Sequence, residues 1–326
     1  VSGKIAKAIA GVAPQRQIPK FASQTFRDWF KKNRITTRTT GKKVLLWVDT
    51  FNNFFLPQTL IAATEVLEAA GFQVTVSKQP LCCGRPLYDF GMLEKAKNML
   101  EEIMESLKEE IENEIPVVGL EPSCVAVFRD EMINLFPNRE TATRLNKQVF
   151  TLAEFLLHKA PDFKIPQLRS KAIIQGHCHH KAIMKMNPDM ELMGKMKLDY
   201  QLLDSGCCGM AGYFGYEKGK HYEVGKAAAE RVLLPAVRNA DKKTLIIADG
   251  FSCREQIEQG TDRKGIHLAQ VLQMALNPLD KQAPYPEKEL ENAPISDNKK
   301  LKKTVALTIL TITIIAVVVD LFLKHT

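Results

Sequence analysis

From Val44 onward, short apolar runs alternate with amphipathic stretches, which predicts strands alternating with helices. Val44–Val48 (VLLWV) reads as a buried strand, and Pro57–Ala70 as a helix that stops at Gly71. Gln73–Val76 is a second strand, Phe90–Glu112 a long helix with a charged face, and Pro116–Leu120 a third strand, followed by a helix from about Ser123 to Leu135. A second pass follows. Lys171–Gln175 and Leu198–Leu203 read as strands, His221–Arg238 as a helix, Leu245–Ala248 as a strand and Ile266–Leu276 as a closing helix. Three strands alternating with helices, twice over, predict an α/β chain of two small open parallel sheets with flanking helices.

The two ends have a different texture. The first 43 residues show no strand alternation; a helix is expected around Ser23–Lys32 and a basic connector elsewhere. Residues 281–303 are polar, with three prolines and a lysine cluster at Lys299, Lys300, Lys302 and Lys303. Residues 304–323 then run almost wholly apolar, with Asp320 the one charge. At about 1.5 Å per residue such a run just spans a bilayer of about 30 Å, so a transmembrane helix is expected there. The lysines before it place the main body on the cytoplasmic face of the inner membrane. The division is therefore 1–43 connector, 44–165 first repeat, 166–280 second repeat, 281–303 linker and 304–323 anchor.

Composition changes the picture in one respect. At 326 residues with 45% hydrophobic content, the chain has ample material for proper cores, and disorder or coiled coil is excluded as a description of the whole. The net charge of +8 suggests nucleic acid or an anionic surface. It is not spread over the fold: Val1–Lys43 holds eleven Lys and Arg against one acid, Asp28, more than the entire excess. Partner docking and a lipid bilayer fit that distribution; nucleic acid does not.

The chemistry lies in the cysteines. Cys82-Cys83-Gly84 and Cys207-Cys208-Gly209 are offset by 125 residues; Cys124 and Cys253, which follow them, are offset by 129. Cys178 precedes the second triplet, and Asp49 stands at its counterpart, again 129 residues earlier. All seven cysteines thus belong to one repeated scheme, the mark of internal duplication. On the predicted strands, each falls just past a carboxyl end, at the edge where parallel sheets form ligand sites. Adjacent cysteines are poorly placed for a mutual disulfide, and C-x₂-C zinc pairs are absent. Consecutive thiolates on a glycine turn favour an iron–sulfur cluster over zinc, thiol redox chemistry or structural cysteines.

The segments PLCCGRPLYDFG, VGLEPSCVAVFRDE, GHCHHKA, LDSGCCGMAGYFGYE and LIIADGFSCREQIEQG together resemble the duplicated cysteine-rich CCG domain. That domain occurs in the cysteine-rich subunit of heterodisulfide reductase and in the C-terminal iron–sulfur part of FAD-linked D-lactate and glycolate dehydrogenases, the latter being the closer match. The resemblance covers about residues 11–273. It implies two tandem CCG repeats and a cluster of the 4Fe–4S type. FAD would sit on a partner chain or a missing N-terminal part, alongside a ferredoxin-like segment, with electrons passing to a membrane quinone or cytochrome. The family pattern is C…CC…CxxC. Carried over, it assigns Cys178, Cys207, Cys208 and Cys253 as ligands in the second repeat, with Gly250 in place of the remaining cysteine. In the first repeat it assigns Cys82, Cys83 and Cys124, with Asp49 and Glu121 at the two other positions, a weaker set.

The expected function is an electron-transfer module of a flavin-dependent 2-hydroxy-acid dehydrogenase. Catalysis by the cluster itself, or a metal-stapled docking scaffold, are the alternatives. Around these residues, His177, His179 and His180 are candidates for ligation, proton carriage or hydrogen bonds to sulfur. Arg85 and Arg254 would offset cluster charge, contact an anionic substrate, or form surface ion pairs. The glycines of GMAGYFG read as close backbone packing, Tyr213, Phe214 and Tyr216 as a shield from water, and the methionines of 184–196 as core filling.

Overall fold

A computed structural model describes residues 7–33, 41–277 and 285–289. Two parallel sheets organise it. Strands β1 (Lys43–Leu46), β2 (Gln73–Thr75), β3 (Val117–Gly119) and β4 (Val149–Thr151) form the first, in the order β2-β1-β3-β4. Strands β5 (Lys171–Ile174), β6 (Asp199–Leu202) and β7 (Leu245–Ile247) form the second, in the order β6-β5-β7. In both sheets the first strand is central, flanked by the second on one side and the third on the other, so the duplication in sequence is a duplication in topology.

The continuous apolar runs are strands buried on both faces. In β1 and the residues after it, Val44, Leu46 and Val48 enter one core, while Leu45 and Trp47 enter another. In β7, Leu245 and Ile247 face the first of these cores, and Ile246 with Ala248 a third. The core shared by both sheets lies between them. Through it helix Pro57–Ala69 packs on helix Leu268–Leu276, each a buried apolar surface rather than a stripe. Methionines 186, 193 and 196 fill this core, and Met184 the outer core of the first sheet, as their positions predict.

The expected helices are present with edits. The predicted Phe90–Glu112 is two helices, Leu93–Ser106 and Lys108–Glu112. The predicted His221–Arg238 breaks into Lys220–Glu230 and Leu233–Asn239, because Pro235 cannot donate to the turn before it and its ring crowds that turn. The helix after β3 runs from Pro122 to Leu135 through a wider π turn at Val127–Glu131. Strand β4 is a fourth strand beside β3; next to β7, the single parallel bridge Ile247–Ile266 holds the corresponding place. A capped helix follows each. Thr151 and Glu154 form a capping box for Leu152–Lys159, and His267 with Gln270 does so for Leu268–Leu276.

One expectation is corrected. Among the described residues no helix is long and apolar enough to cross a membrane. The longest, Leu93–Ser106, has 14 residues, about 21 Å at 1.5 Å per residue, and a charged outer face. The architecture is α/β with parallel sheets and no transmembrane helix among the described residues, and the inner-membrane anchoring inferred from such a helix goes with it. Residues 304–323, on which that expectation rested, lie outside the described residues.

Candidate metal centre

The cysteines stand past the carboxyl ends of the strands. Asp49 follows β1, Cys82 and Cys83 follow β2, and Cys124 follows β3; Cys178, the pair Cys207 and Cys208, and Cys253 follow β5, β6 and β7. The order of strands reverses about β1 and about β5, and ligand sites of open α/β sheets form at such switch points. The structure gathers the thiols into two sets. In the first, Cys83 and Cys124 lie with their sulfurs 3.0 Å apart, and Cys82 hydrogen-bonds to Cys83 and Thr50. In the second, hydrogen bonds link Cys178 to Cys207, Cys207 to Cys208, and Cys208 to Cys253. All seven are free thiols. Cys83, Cys124, Cys208 and Cys253 are buried, whereas Cys178 and Cys207 are exposed, so the second set opens to solvent on one side.

The electrostatics of the two sets differ. Hydrogen bonds from Cys178 and Cys208 pull the Cys207 thiol far down, helped by the Gly209 N–H, which donates to its Sγ at 3.3 Å. Cys178 and Cys208 are pushed up, each first by its bond to Cys207. Within the second set these bonds favour the thiolate at Cys207, the form that binds metal. In the first set nothing comparable happens. Cys82 is pushed up by its bond to Cys83, and Cys83 by its bond to Cys124. The bond from Cys83 pulls Cys124 down, but burial beside Asp49 and Glu121 wins and leaves it at about 11.

The positions where the repeated pattern lacks cysteine are occupied by other structural work. Asp49 is buried and caps helix Thr50–Phe54: Oδ1 accepts from the Asn52 N–H at 2.9 Å, and Oδ2 from the Asn52 side-chain amide at 2.7 Å. Burial, followed by the nearby Glu121 charge, raises its carboxyl to about 6. Glu121 caps two helices at once. Its Oε1 accepts from Ser123 N and Oγ, and its Oε2 from Phe251 N at 2.8 Å, the first free amide of the helix carrying Cys253. Gly250, the counterpart of Glu121, has no side chain to cap that helix. A Cβ there would lie 2.3 Å from His177 Cδ2, so the absence of a side chain makes room for the imidazole.

The three histidines separate in role. His177 and His179, both pulled down by burial, sit with Cys178 as a group whose ligating atoms all lie within 4.8 Å of one another. His177 Nδ1 accepts from the His179 N–H at 3.2 Å. His180 points elsewhere, to Asp189 at 2.9 Å.

Among the described residues Arg254 forms no surface ion pair. Buried at 4% exposure, it donates to Thr59 Oγ1, Asn52 Oδ1 and the Asp249 carbonyl, tying the second repeat to the first. Arg85 pairs with Glu131 and, at 3.7 Å, with Asp89.

The glycines behave as predicted. A Cβ on Gly209 would lie 1.9 Å from the Gly225 carbonyl, and one on Gly215 2.7 Å from that of Gly209. Of the aromatics, Tyr216 bonds to Glu255, Phe214 stacks on His221 and Tyr213 donates to the Ala10 carbonyl. The N-terminal stretch is tied to the same segment: Arg16, 4% exposed, donates to the Gly215 carbonyl at 2.8 Å and to Gln256 at 2.6 Å. Sequence reasoning missed Glu121 as a bridge between repeats and Asp189 and Asp249 as partners of His180.

Comparison with known proteins agrees with this geometry. Residues 49–129 match the cysteine-rich domain family CCG. One subunit of the anaerobic glycerol-3-phosphate dehydrogenase of Escherichia coli K12 is 27% identical over 269 residues, which is 80% of this chain and 66% of that protein. The lactate utilization protein A of Bacillus subtilis 168 is 27% identical over 244 residues, 71% of this chain and 98% of that protein. The D-2-hydroxyglutarate dehydrogenase of Pseudomonas putida KT2440 is 25% identical over 244 residues, 74% of this chain but 23% of the far longer enzyme. The chain spans just under two thirds of the first of these relatives. In its cysteine pattern, its paired sheets and these matches, the chain is similar to the CCG cysteine-rich proteins, the family match lying at residues 49–129.

Proposed function

We propose that this chain is the iron–sulfur electron-transfer component of a flavin-dependent dehydrogenase of small hydroxy acids or polyol phosphates. The observation that carries the proposal is the second thiol set. Cys178, Cys207, Cys208 and Cys253 converge in contact on one sheet edge, with no hard ligand among them. Four such donors fit an iron–sulfur cluster, 4Fe–4S in type. When bound, that group supplies one-electron chemistry between a two-electron flavin donor and an acceptor such as a quinone or cytochrome.

The chain's own residues do the rest. Cys208 and Cys253 hold the buried side, Met210, buried at 0% exposure, closes it against water, and the Gly209 N–H supplies a hydrogen bond to sulfur. Cys178 and Cys207 face outward, where a partner flavoprotein can approach. The first set has three thiols, and both carboxylates that might complete it are spent on helix caps. It is therefore the weaker site. The names of the relatives support a dehydrogenase setting. A hydroxy-acid substrate such as D-lactate or glycolate is the choice within it that the sequence resemblance favours.

Anaerobic purification with iron analysis and a visible spectrum tests the cofactor. A brown chain is expected whose colour is lost in Cys208→Ser and kept in Cys83→Ser. A colourless chain holding only zinc would overturn the proposal. With the flavoprotein partner added, Cys208→Ser should leave flavin reduction by substrate intact and stop onward transfer to a quinone. Loss of flavin reduction as well would refute the relay role.

A further inference from the structure

Beside the thiols, the second repeat buries a group of donor atoms that electron transfer does not use. His180, Asp189 and Asp249 each bring one ligand-capable atom within 4.8 Å of the others. They come from three elements: the π turn His180–Met184 after Cys178, the helix Asn187–Lys195, and the loop between β7 and the helix carrying Cys253. His180 and Asp189 are each 2% exposed. Their Nε2 and Oδ2 lie 2.9 Å apart, yet neither atom has a hydrogen-bond partner among the described residues. The separation suits an ion pair while the alignment falls short of a hydrogen bond, so each atom keeps capacity for a further partner in the space beside it. Cavities of about 10 Å³ open there. One is lined by His177, His180, Asp189 and Asp249, the other by His180, Asp189, Asp249 and His267. Each has room for a single water-sized or ion-sized occupant.

Charge decides between those occupants. Two carboxylates converge on this space against one imidazole, so even with His180 protonated beside Asp189 one negative charge is left over, and holding it in a largely buried space is costly. His267, 3.6 Å from Asp249, does not supply one: its Nε2 is engaged with the Leu120 carbonyl, and its Nδ1 accepts from Ala269 N, which leaves the ring neutral. Arg254 acts on Asp249 at a distance, but its guanidinium is bonded to Thr59, Asn52 and the Asp249 carbonyl. One imidazole with two carboxylates is a donor set for a divalent cation, zinc above all, with a fourth position left for water.

We propose that His180, Asp189 and Asp249 form a divalent-cation site distinct from both thiol sets. An ion there joins the turn two residues after Cys178, and the loop four residues before Cys253, to helix Asn187–Lys195. It thereby pins two of the segments that carry the second thiol set.

The test uses the full chain with cobalt(II) as a spectroscopic probe and zinc by metal analysis. Cobalt on cysteine shows intense sulfur charge-transfer bands; cobalt on nitrogen and oxygen shows only weak visible bands. The expected result is one cobalt per chain of the second kind, displaced by zinc. Asp189→Asn and Asp249→Asn should each weaken it at least about tenfold while leaving sulfur-bound cobalt unchanged. The wild-type spectrum decides the matter even where a variant does not fold. If all bound cobalt shows sulfur charge transfer, or the nitrogen–oxygen component survives both substitutions, the space holds water and the proposal is overturned.

Discussion

Replacing Gly250 by alanine probes why the repeated cysteine pattern is broken at this position. A Cβ there lies 2.3 Å from His177 Cδ2, 3.2 Å from Cγ and 3.3 Å from Nε2. Ordinary contact begins near 3.4 Å, so the imidazole must recede by about 1 Å. The backbone adds nothing to the cost, because Gly250 has φ −72°, open to any residue. The ring has little freedom to retreat: it is 8% exposed, accepts a hydrogen bond from His179 N and lies 5.3 Å from the His179 ring. Overpacking costs about 1–3 kcal/mol, and the strained or lost hydrogen bond about 1 kcal/mol. Gly250→Ala should therefore cost about 2–4 kcal/mol, a fall in melting temperature of roughly 3–6 °C for a chain of this size. Thermal melts of the metal-free chain, followed by circular dichroism, measure it. In a His177→Ala background the same substitution should cost less than about 1 kcal/mol, since the clash is gone. A Gly250→Ala chain that melts with the wild type, or a penalty undiminished without His177, would falsify the steric account.

Four further substitutions follow from the structure. Gly209→Ala meets both a φ of +85° and the Gly225 carbonyl at 1.9 Å, so it should cost more than about 4 kcal/mol and show as loss of folded protein. Gly206→Ala, at φ +63° with nothing within 4 Å, should cost only about 1 kcal/mol in the same melt, and equal penalties would contradict the packing argument. Arg263 and Glu287 form a buried ion pair at 2.6 Å, 3% and 2% exposed, and Arg263→Met strands the carboxylate at a cost of about 3–5 kcal/mol, measured by denaturant titration. Asp49 has its carboxyl raised from 3.8 to about 6, so the native state holds its proton more tightly than the unfolded one. This contribution is therefore full below about pH 4 and lost as pH climbs through 6, a loss of roughly 3 kcal/mol. Asp49→Asn should flatten that part of the pH–stability profile of the metal-free chain; an unchanged slope between pH 4 and 7 would exclude Asp49 as its source.

Much of the sheet architecture was legible because the strands are buried on both faces. VLLWV and LIIA are apolar without interruption, which in a chain of this length means a parallel sheet between layers of helices. Strand β4, by contrast, is three residues, Val149–Thr151, and its signal is lost between the helices Glu140–Gln148 and Leu152–Lys159. The convergence of the cysteines was legible too, since it needs only the rule that parallel strands end on one edge. The roles of Arg254 and Glu121 were not. The bonds by which each ties the two repeats together reach residues between 130 and 202 positions away, and no local pattern records which distant residues a charged side chain will meet. The apolar run at 304–323 lies outside the described residues, and among the described residues no helix is long and apolar enough to cross a membrane.

The places where the chain departs from the cysteine pattern are the places where its two repeats are joined. Asp49 holds the Asn52 amide, and Asn52 Oδ1 in turn accepts from Arg254 of the second repeat at 3.0 Å. Glu121 gives its second oxygen to the helix that carries Cys253, and Leu120 beside it receives Nε2 of His267, which caps the helix at the shared core. Phe51, from the helix capped by Asp49, stacks on Phe251 at 4.5 Å. A cysteine at position 49 or 121 would add a thiol to the first set and remove one of these ties. A set of three thiols and a set of four are thus two sides of one arrangement. The first repeat has given up ligand positions for carboxylates, and those carboxylates hold in register the helix starts on which the second set is built.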